Sequence, residues 1–173
     1  GTLGPAEEAA LNGIPAIGVS LDTLSPDADF SAVVKYFPDI FRKLISDYPT
    51  ERGIYYNVNF PDIPAAEIKG IRVGHQGLGR WVREFRDWDP SVYSKHKLTP
   101  EMLGQSSVPI CEEGEKLYMM VGDFLDDKAN NSRSDHWIMK EGYISIVPNN
   151  LDATDYAEKS RLESAGFDTD FAK

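Results

Sequence analysis

The stretch Leu11-Asn12-Gly13-Ile14-Pro15-Ala16-Ile17-Gly18-Val19-Ser20 carries the reading that decides the fold. Asn12-Gly13 supplies a left-handed stop for a helix. Residues 14–20 then form a short apolar run of small side chains bounded by turn residues, the pattern of a strand buried on both faces between helix layers. Upstream, residues 2–13 predict a short helix. Thr2 or a close neighbour caps it, Pro5 suits its first turn, and Glu7 and Glu8 sit at the positive end of its dipole. Downstream, beyond a polar loop at 21–29, Phe30, Val33, Val34, Phe37, Phe41, Leu44 and Ile45 recur at spacings of three and four. That spacing predicts a helix with one buried face, which Pro38 kinks or splits. Tyr48-Pro49 ends it, Arg52-Gly53 turns the chain, and Ile54-Tyr55-Tyr56-Asn57-Val58-Asn59-Phe60 alternates as a strand stopped by Pro61. Helix, strand, helix, strand is the rhythm of an α/β sheet.

After Pro64 the rhythm changes. Residues 68–73 and 80–85 read as two strands, with Gln76-Gly77-Leu78-Gly79 as a hairpin turn between them. Residues 87–115 are polar and without period, and the stretch 88–113 reads as a lid or a subunit contact. Residues 116–121 are strand-like, 126–131 a polar loop, 134–140 a short helix, 143–148 a strand and 154–165 a final helix. The expected organisation is one domain: an α/β core part (1–64), a hairpin and oligomerisation excursion (65–133), and a return to the core with a C-terminal helix (134–173).

Composition sets the outer limits. The chain has 173 residues, 41% hydrophobic and 27% charged, which suits a globular domain. A formal charge of −10 disfavours binding to nucleic-acid polymers. No apolar run approaches the roughly 20 residues that span a bilayer, so no membrane association is expected. Cys111 is the only cysteine, which leaves no internal disulfide. No secretion signal is visible, so a cytoplasmic location is expected. The chain opens on Gly1-Thr2 rather than Met and reads as starting inside a domain.

Motif by motif, most candidates for chemistry have a bland alternative. His75, His96 and His136 lie far apart and form no pair at metal-ligand spacing. Cys111 has no base supplied by the sequence around it. Gly77-Leu78-Gly79 resembles part of a phosphate loop but lacks the strand-to-helix context. Asp126-Asp127 is a vicinal acidic pair of the kind that can bind Mg²⁺, and equally a solvated loop. Asp152 and Asp155 read as helix caps. The helix start at Gly1-Thr2 is the one feature that favours an anion, because free N–H groups and the dipole attract negative charge.

Several blocks, taken together, resemble the SurE family of stationary-phase survival phosphatases. They are Gly1-Thr2-Leu3-Gly4, Glu8, Leu11 through Ser20, Tyr56-Asn57-Val58-Asn59-Phe60-Pro61, Ile68-Lys69-Gly70-Ile71-Arg72-Val73, Ser134-Asp135-His136-Trp137, Glu141 through Pro148, and Leu151-Asp152-Ala153-Thr154-Asp155-Tyr156. The resemblance covers most of the chain and corresponds to the C-terminal two-thirds of such an enzyme. It implies a Rossmann-like three-layer α/β/α core, a β-hairpin extension that builds oligomers, and a C-terminal segment swapped within a dimer. It implies a hydrolase, a 5′-nucleotidase or acid phosphatase acting on nucleoside 5′- and 3′-monophosphates, in a homodimer or homotetramer. It also implies a divalent metal, Mg²⁺ or Mn²⁺, held by adjacent aspartates with a serine and an asparagine, all upstream of the Gly-Thr block. On that reading the first strands of the sheet are missing, no catalytic or metal-binding residue falls in this chain, and Gly1 and Thr2 are its phosphate contacts. The competing reading is a non-catalytic oligomerisation or binding module derived from the same family. A third, a hydrolase built on the three histidines or Cys111, has no spacing to support it.

Overall fold

The computed structural model describes residues 1–23, 25, 27–95, 99, 111–120 and 122–170. In chain order its elements are α1 (Gly4–Leu11), β1 (Ile17–Leu21), α2 (Ser31–Ser46), β2 (Ile54–Phe60), β3 (Ile71–Val73), β4 (Gly79–Val82), β5 (Phe85–Asp87), α3 (Ser91–Lys95), β6 (Tyr118–Met120), β7 (Asp123–Asp126), α4 (Asp135–Lys140), β8 (Ile144–Asn150) and α5 (Tyr156–Ser164). Four strands make the main sheet in the order β1-β2-β8-β3. β1 runs parallel to β2, joined through α2, while β8 is antiparallel to β2 and parallel to β3. The α/β expectation holds, with a mixed sheet rather than an all-parallel one.

Alternation sorts the side chains into two layers. Val58 and Phe60 of β2 and Ile144 and Ile146 of β8 pack with Ala32 and Ile40 of α2, and Ile17, Val19 and Leu21 of β1 lie on that side. The opposite face carries Ala16 and Tyr55 against Ala6 and Ala10 of α1. Small residues let α1 approach the sheet closely, and the Tyr55 hydroxyl donates to Glu7 Oε1 at 2.9 Å. Burial, and then that carboxylate, push the Tyr55 phenol above its ordinary range. α1 closes as its sequence predicts: Gly13 is left-handed at φ 74°, and the Ile14 amide donates to the Ala9 carbonyl. Its N-cap is Leu3, with no side-chain cap, so Thr2 does not cap this helix. The Tyr48 hydroxyl, just past α2, accepts from the Ala16 amide at 3.0 Å and donates to the Ile54 carbonyl at 2.6 Å. One phenol thereby ties the helix end to the starts of β1 and β2.

Two expectations for the core need correction. β1 begins at Ile17 and not Ile14, since Pro15 offers no N–H, and it is an edge strand among the described residues with four of its five positions only half-buried. α2 runs through Pro38 as one helix. The carbonyl freed by Pro38 belongs to Val34, which is 73% exposed, so solvent can satisfy it. The apolar face of α2 is also only partly covered: Phe41 and Ile45 remain 45% and 37% exposed.

The excursion differs most from expectation. β3 does not form a hairpin with the next strand but joins the main sheet through β8. β4 pairs with β7, and farther out β5 pairs with β6, both antiparallel. These four strands thus make an arm of two short ladders, jointed where Arg83 takes a left-handed φ of 54°. The hairpin lies one step later in the sequence than the Gly77-Gly79 turn suggested. Within 88–113 the described part contains α3, with Trp88 packed at a tilt against Tyr93 at 5.4 Å between ring centroids, and residues 96–98 and 100–110 lie outside the described residues. α5 is capped by Asp155, which accepts from the Ala157 and Glu158 amides at 3.0 Å, and it buries none of its residues. Asp152 instead holds the Thr154 amide and the Tyr156 hydroxyl. No helix among the described residues is long and apolar enough to cross a membrane.

Candidate functional site

β1 and β2 end together, Leu21 opposite Phe60. In open α/β sheets the crevice beyond the carboxyl ends of parallel strands is where ligands bind, because the loops there diverge. Here that crevice is a cavity of about 380 Å³ lined by Ser20, Asp22 and Asn59 on the sheet side, Met139 of α4 and Trp81 of the arm. Ser20 and Asn59 are register partners, so their side chains share a face, and Ser20 Oγ donates to Asn59 Oδ1 at 2.5 Å. The next residue in the row, Ser145 of β8, pairs with Asn59; its Oγ is fully buried and has no hydrogen-bond partner among the described residues.

Thr2 lies on this same face one step back along β1. A Cβ at Gly18 would sit 2.7 Å from Leu3 Cδ2, 3.4 Å from the Thr2 carbonyl oxygen and 3.7 Å from Thr2 Cγ2, so the start of α1 lies directly over this glycine. Gly18 and Ser20 are two residues apart on one face, about 7 Å along the strand. The N-terminal end of α1 and the polar end of the cavity are therefore neighbours. Gly1 and Thr2 are exposed. Thr2 also lines an open depression of about 540 Å³ along the free edge of β1, floored by Phe37, Phe41 and Ile45 of α2.

A second polar cluster ties the arm to α4. His136 Nε2 lies 2.9 Å from Asp126 Oδ1, and its Nδ1 lies 3.3 Å from Asp135 Oδ1. Trp137 Nε1 donates to Asp126 Oδ2 at 2.8 Å, and Asn130 donates to Asp126 Oδ1. Asp135 in turn accepts from the Gly77 amide at 3.0 Å. The Asn130 amide, followed by His136 and Trp137, holds the Asp126 carboxyl below its ordinary value. This cluster is a structural latch.

The remaining candidates do not assemble into a site. Asp126 and Asp127 diverge, the second turning back to the Ala129 amide, so the vicinal pair makes no cation site. His75 contacts only the Gln76 carbonyl through its ring, and His96 lies outside the described residues. Cys111 is exposed and lies against the Glu115 carbonyl. Among the described residues no three His, Cys, Asp or Glu side chains converge to hold a metal ion. The described residues therefore do not fit the divalent cation that the family resemblance implies.

Sequence reading missed Ser20, Asn59 and Trp81 as cavity residues. The available signal was a polar residue next to the last position of each of two largely apolar strands; only the parallel register shows that the two side chains meet.

Comparison with known proteins agrees with the geometry. Residues 1–83 match the family described as survival protein SurE, and a protein named 5′-nucleotidase SurE from Bacteroides fragilis is 32% identical over 168 residues. The chain is thus similar to SurE proteins along nearly its whole length. The alignment to the Bacteroides relative covers 95% of the chain and 55% of that protein. A relative of the same name from Phocaeicola vulgatus is 30% identical, with 95% and 54% covered. The chain thus spans about half the length of the curated relatives it matches. The crystal structure of SurE protein from Aquifex aeolicus superposes with a TM-score of 0.64 at 24% identity, covering 95% of this chain and 57% of that one, which supports the SurE fold.

Proposed function

We propose that the chain forms part of a phosphomonoesterase that hydrolyses nucleoside 5′- and 3′-monophosphates to nucleoside and phosphate. The observation that carries this reading is the adjacency, on one face of β1, of the α1 N-terminus and the polar cavity at the strand ends. The names of the relatives support the same activity. Gly1 and Thr2 take the phosphate, with the Thr2 hydroxyl and the positive end of α1 as donors. Mg²⁺ or Mn²⁺ would be held by carboxylates upstream of the Gly1-Thr2 block, as the family resemblance implies, and would supply charge neutralisation at the ester. The half-covered edge of β1 and the bare stripe of α2 fit further strands of the same sheet lying against them.

The assembly we propose is a homodimer or homotetramer built through the arm and the C-terminal segment. An isolated nine-residue helix is marginal in water, and α5 buries none of its residues against the described part of the chain. That observation also favours the second reading, a non-catalytic assembly module. A cytoplasmic location fits the single exposed thiol of Cys111.

Phosphate release from AMP separates the readings. A longer protein containing this chain and the other half of its relatives' length is expected to hydrolyse AMP with Mg²⁺ or Mn²⁺ and to stop in EDTA. The 173 residues alone are expected to release none. Phosphate release by these residues in EDTA overturns the proposal; a longer protein that assembles but never hydrolyses AMP establishes the module.

A further inference from the structure

We propose that the cavity beneath Trp81 is a nucleoside subsite, in which the base stacks on the indole and its edge meets the Asn59 amide; this rests on the reading of Thr2 and α1 as the phosphate end. Trp81 is a large aromatic left 55% exposed, yet it is held in place. Phe124 packs edge-on against it at 5.8 Å, and Gly122 lies so close that a Cβ there would stand 3.1 Å from the indole. An aromatic plane fixed over a cavity suits a flat, weakly hydrated ring, and every nucleobase offers one. The opposite wall is polar. Asn59 Oδ1 is occupied by Ser20, while no described residue accepts from its Nδ2, leaving donors for ring nitrogens or carbonyls of a base. Asp22, exposed at the end of β1, offers an acceptor for the hydroxyls of a ribose, a role carboxylates take in nucleotide sites.

Spacing joins the two ends. From Gly18, which Thr2 and Leu3 cover, to Ser20 the same face advances about 7 Å, a span that one ribose bridges. The stacking wall comes from the arm and the polar wall from the core, so base binding draws on both parts of the chain. Stacking tolerates all four bases and favours the larger purines, so the subsite accepts nucleosides broadly and ranks adenosine and guanosine above cytidine.

The test is calorimetric titration of the 173-residue chain with adenosine, cytidine, ribose and inorganic phosphate, for wild type, Trp81→Phe and Trp81→Ala, with circular dichroism confirming the fold of each. Adenosine is expected to bind saturably and more tightly than cytidine, with ribose far weaker than either. Trp81→Ala is expected to weaken adenosine by about tenfold or more, and Trp81→Phe by less. In the longer protein, Trp81→Ala is expected to raise the KM for AMP by a much larger factor than that for a phosphate ester without a base. Equal adenosine affinity in wild type and Trp81→Ala, or no saturable nucleoside binding, overturns the subsite. If AMP hydrolysis by the longer protein survives that result, the proposed activity stands without it; if nucleosides bind through Trp81 but AMP is never hydrolysed, the activity fails while the subsite remains.

Discussion

Two phenylalanines on the same side of the sheet are expected to respond differently to truncation. Phe60 is fully buried in the α2 layer, whereas Phe41 is 45% exposed over the free edge of β1. An aromatic side chain removes about 200 Å² from water when fully covered, worth about 5 kcal/mol at 25 cal/mol per Å². Phe60→Ala is therefore expected to cost about 4 kcal/mol, within the usual range for such cavities. Phe41 has about 110 Å² covered, worth about 3 kcal/mol as an upper bound, and its removal opens no closed void, so Phe41→Ala should cost about 2 kcal/mol. If a further strand lies on that edge in the longer protein, the remaining 90 Å² or so adds about 2 kcal/mol, and Phe41→Ala should approach the cost of Phe60→Ala there. Urea unfolding followed by circular dichroism, on both variants in the 173-residue chain and in the longer protein, measures all four values. A Phe41→Ala cost that is the same in both contexts refutes the covering of this edge.

Acid should release the arm. The folded Asp126 carboxyl is held below its ordinary 3.8, so its contribution to the latch is fully present above that value and is lost as pH falls through the lower folded value. Hydrogen exchange of the β4 amides should accelerate in that window, and Asp126→Asn, facing the same His136 and Asp135, should flatten the dependence. Asp155→Ala removes the acceptor for two amides and should cost about 1 kcal/mol of α5 helicity. Because α5 buries nothing, the global urea midpoint should stay within error while exchange at 156–164 rises.

The core was legible because its signals are local. Asn12-Gly13 ends α1 where a left-handed residue can, and the alternation of β2 is a direct image of a strand between two layers. The arm was not legible in the same way. Gly77 and Gly79 look like a turn, but their neighbours are anchored by Asn130 and Asp135, more than fifty positions away, and no local pattern encodes such pairing. The Phe37, Phe41 and Ile45 stripe announced a buried face, and spacing alone cannot say how much of that face this chain covers. The cavity escaped for a related reason. Ser20 and Asn59 are 39 residues apart, and Trp81 arrives from a different ladder altogether.

The joint in the arm has a mechanical consequence. A left-handed Arg83 costs about 1 kcal/mol or more, and its guanidinium meets Arg86 on the single carboxylate of Asp123. This knot separates an inner ladder, bolted to α4 through Asp126, from an outer one that has no such bolt among the described residues. The Arg86–Asp123 ion pair is the side-chain tie that carries a pull on the outer ladder across the knot toward the indole. The inner segment keeps step with the sheet, and the outer segment is left to follow whatever grips it.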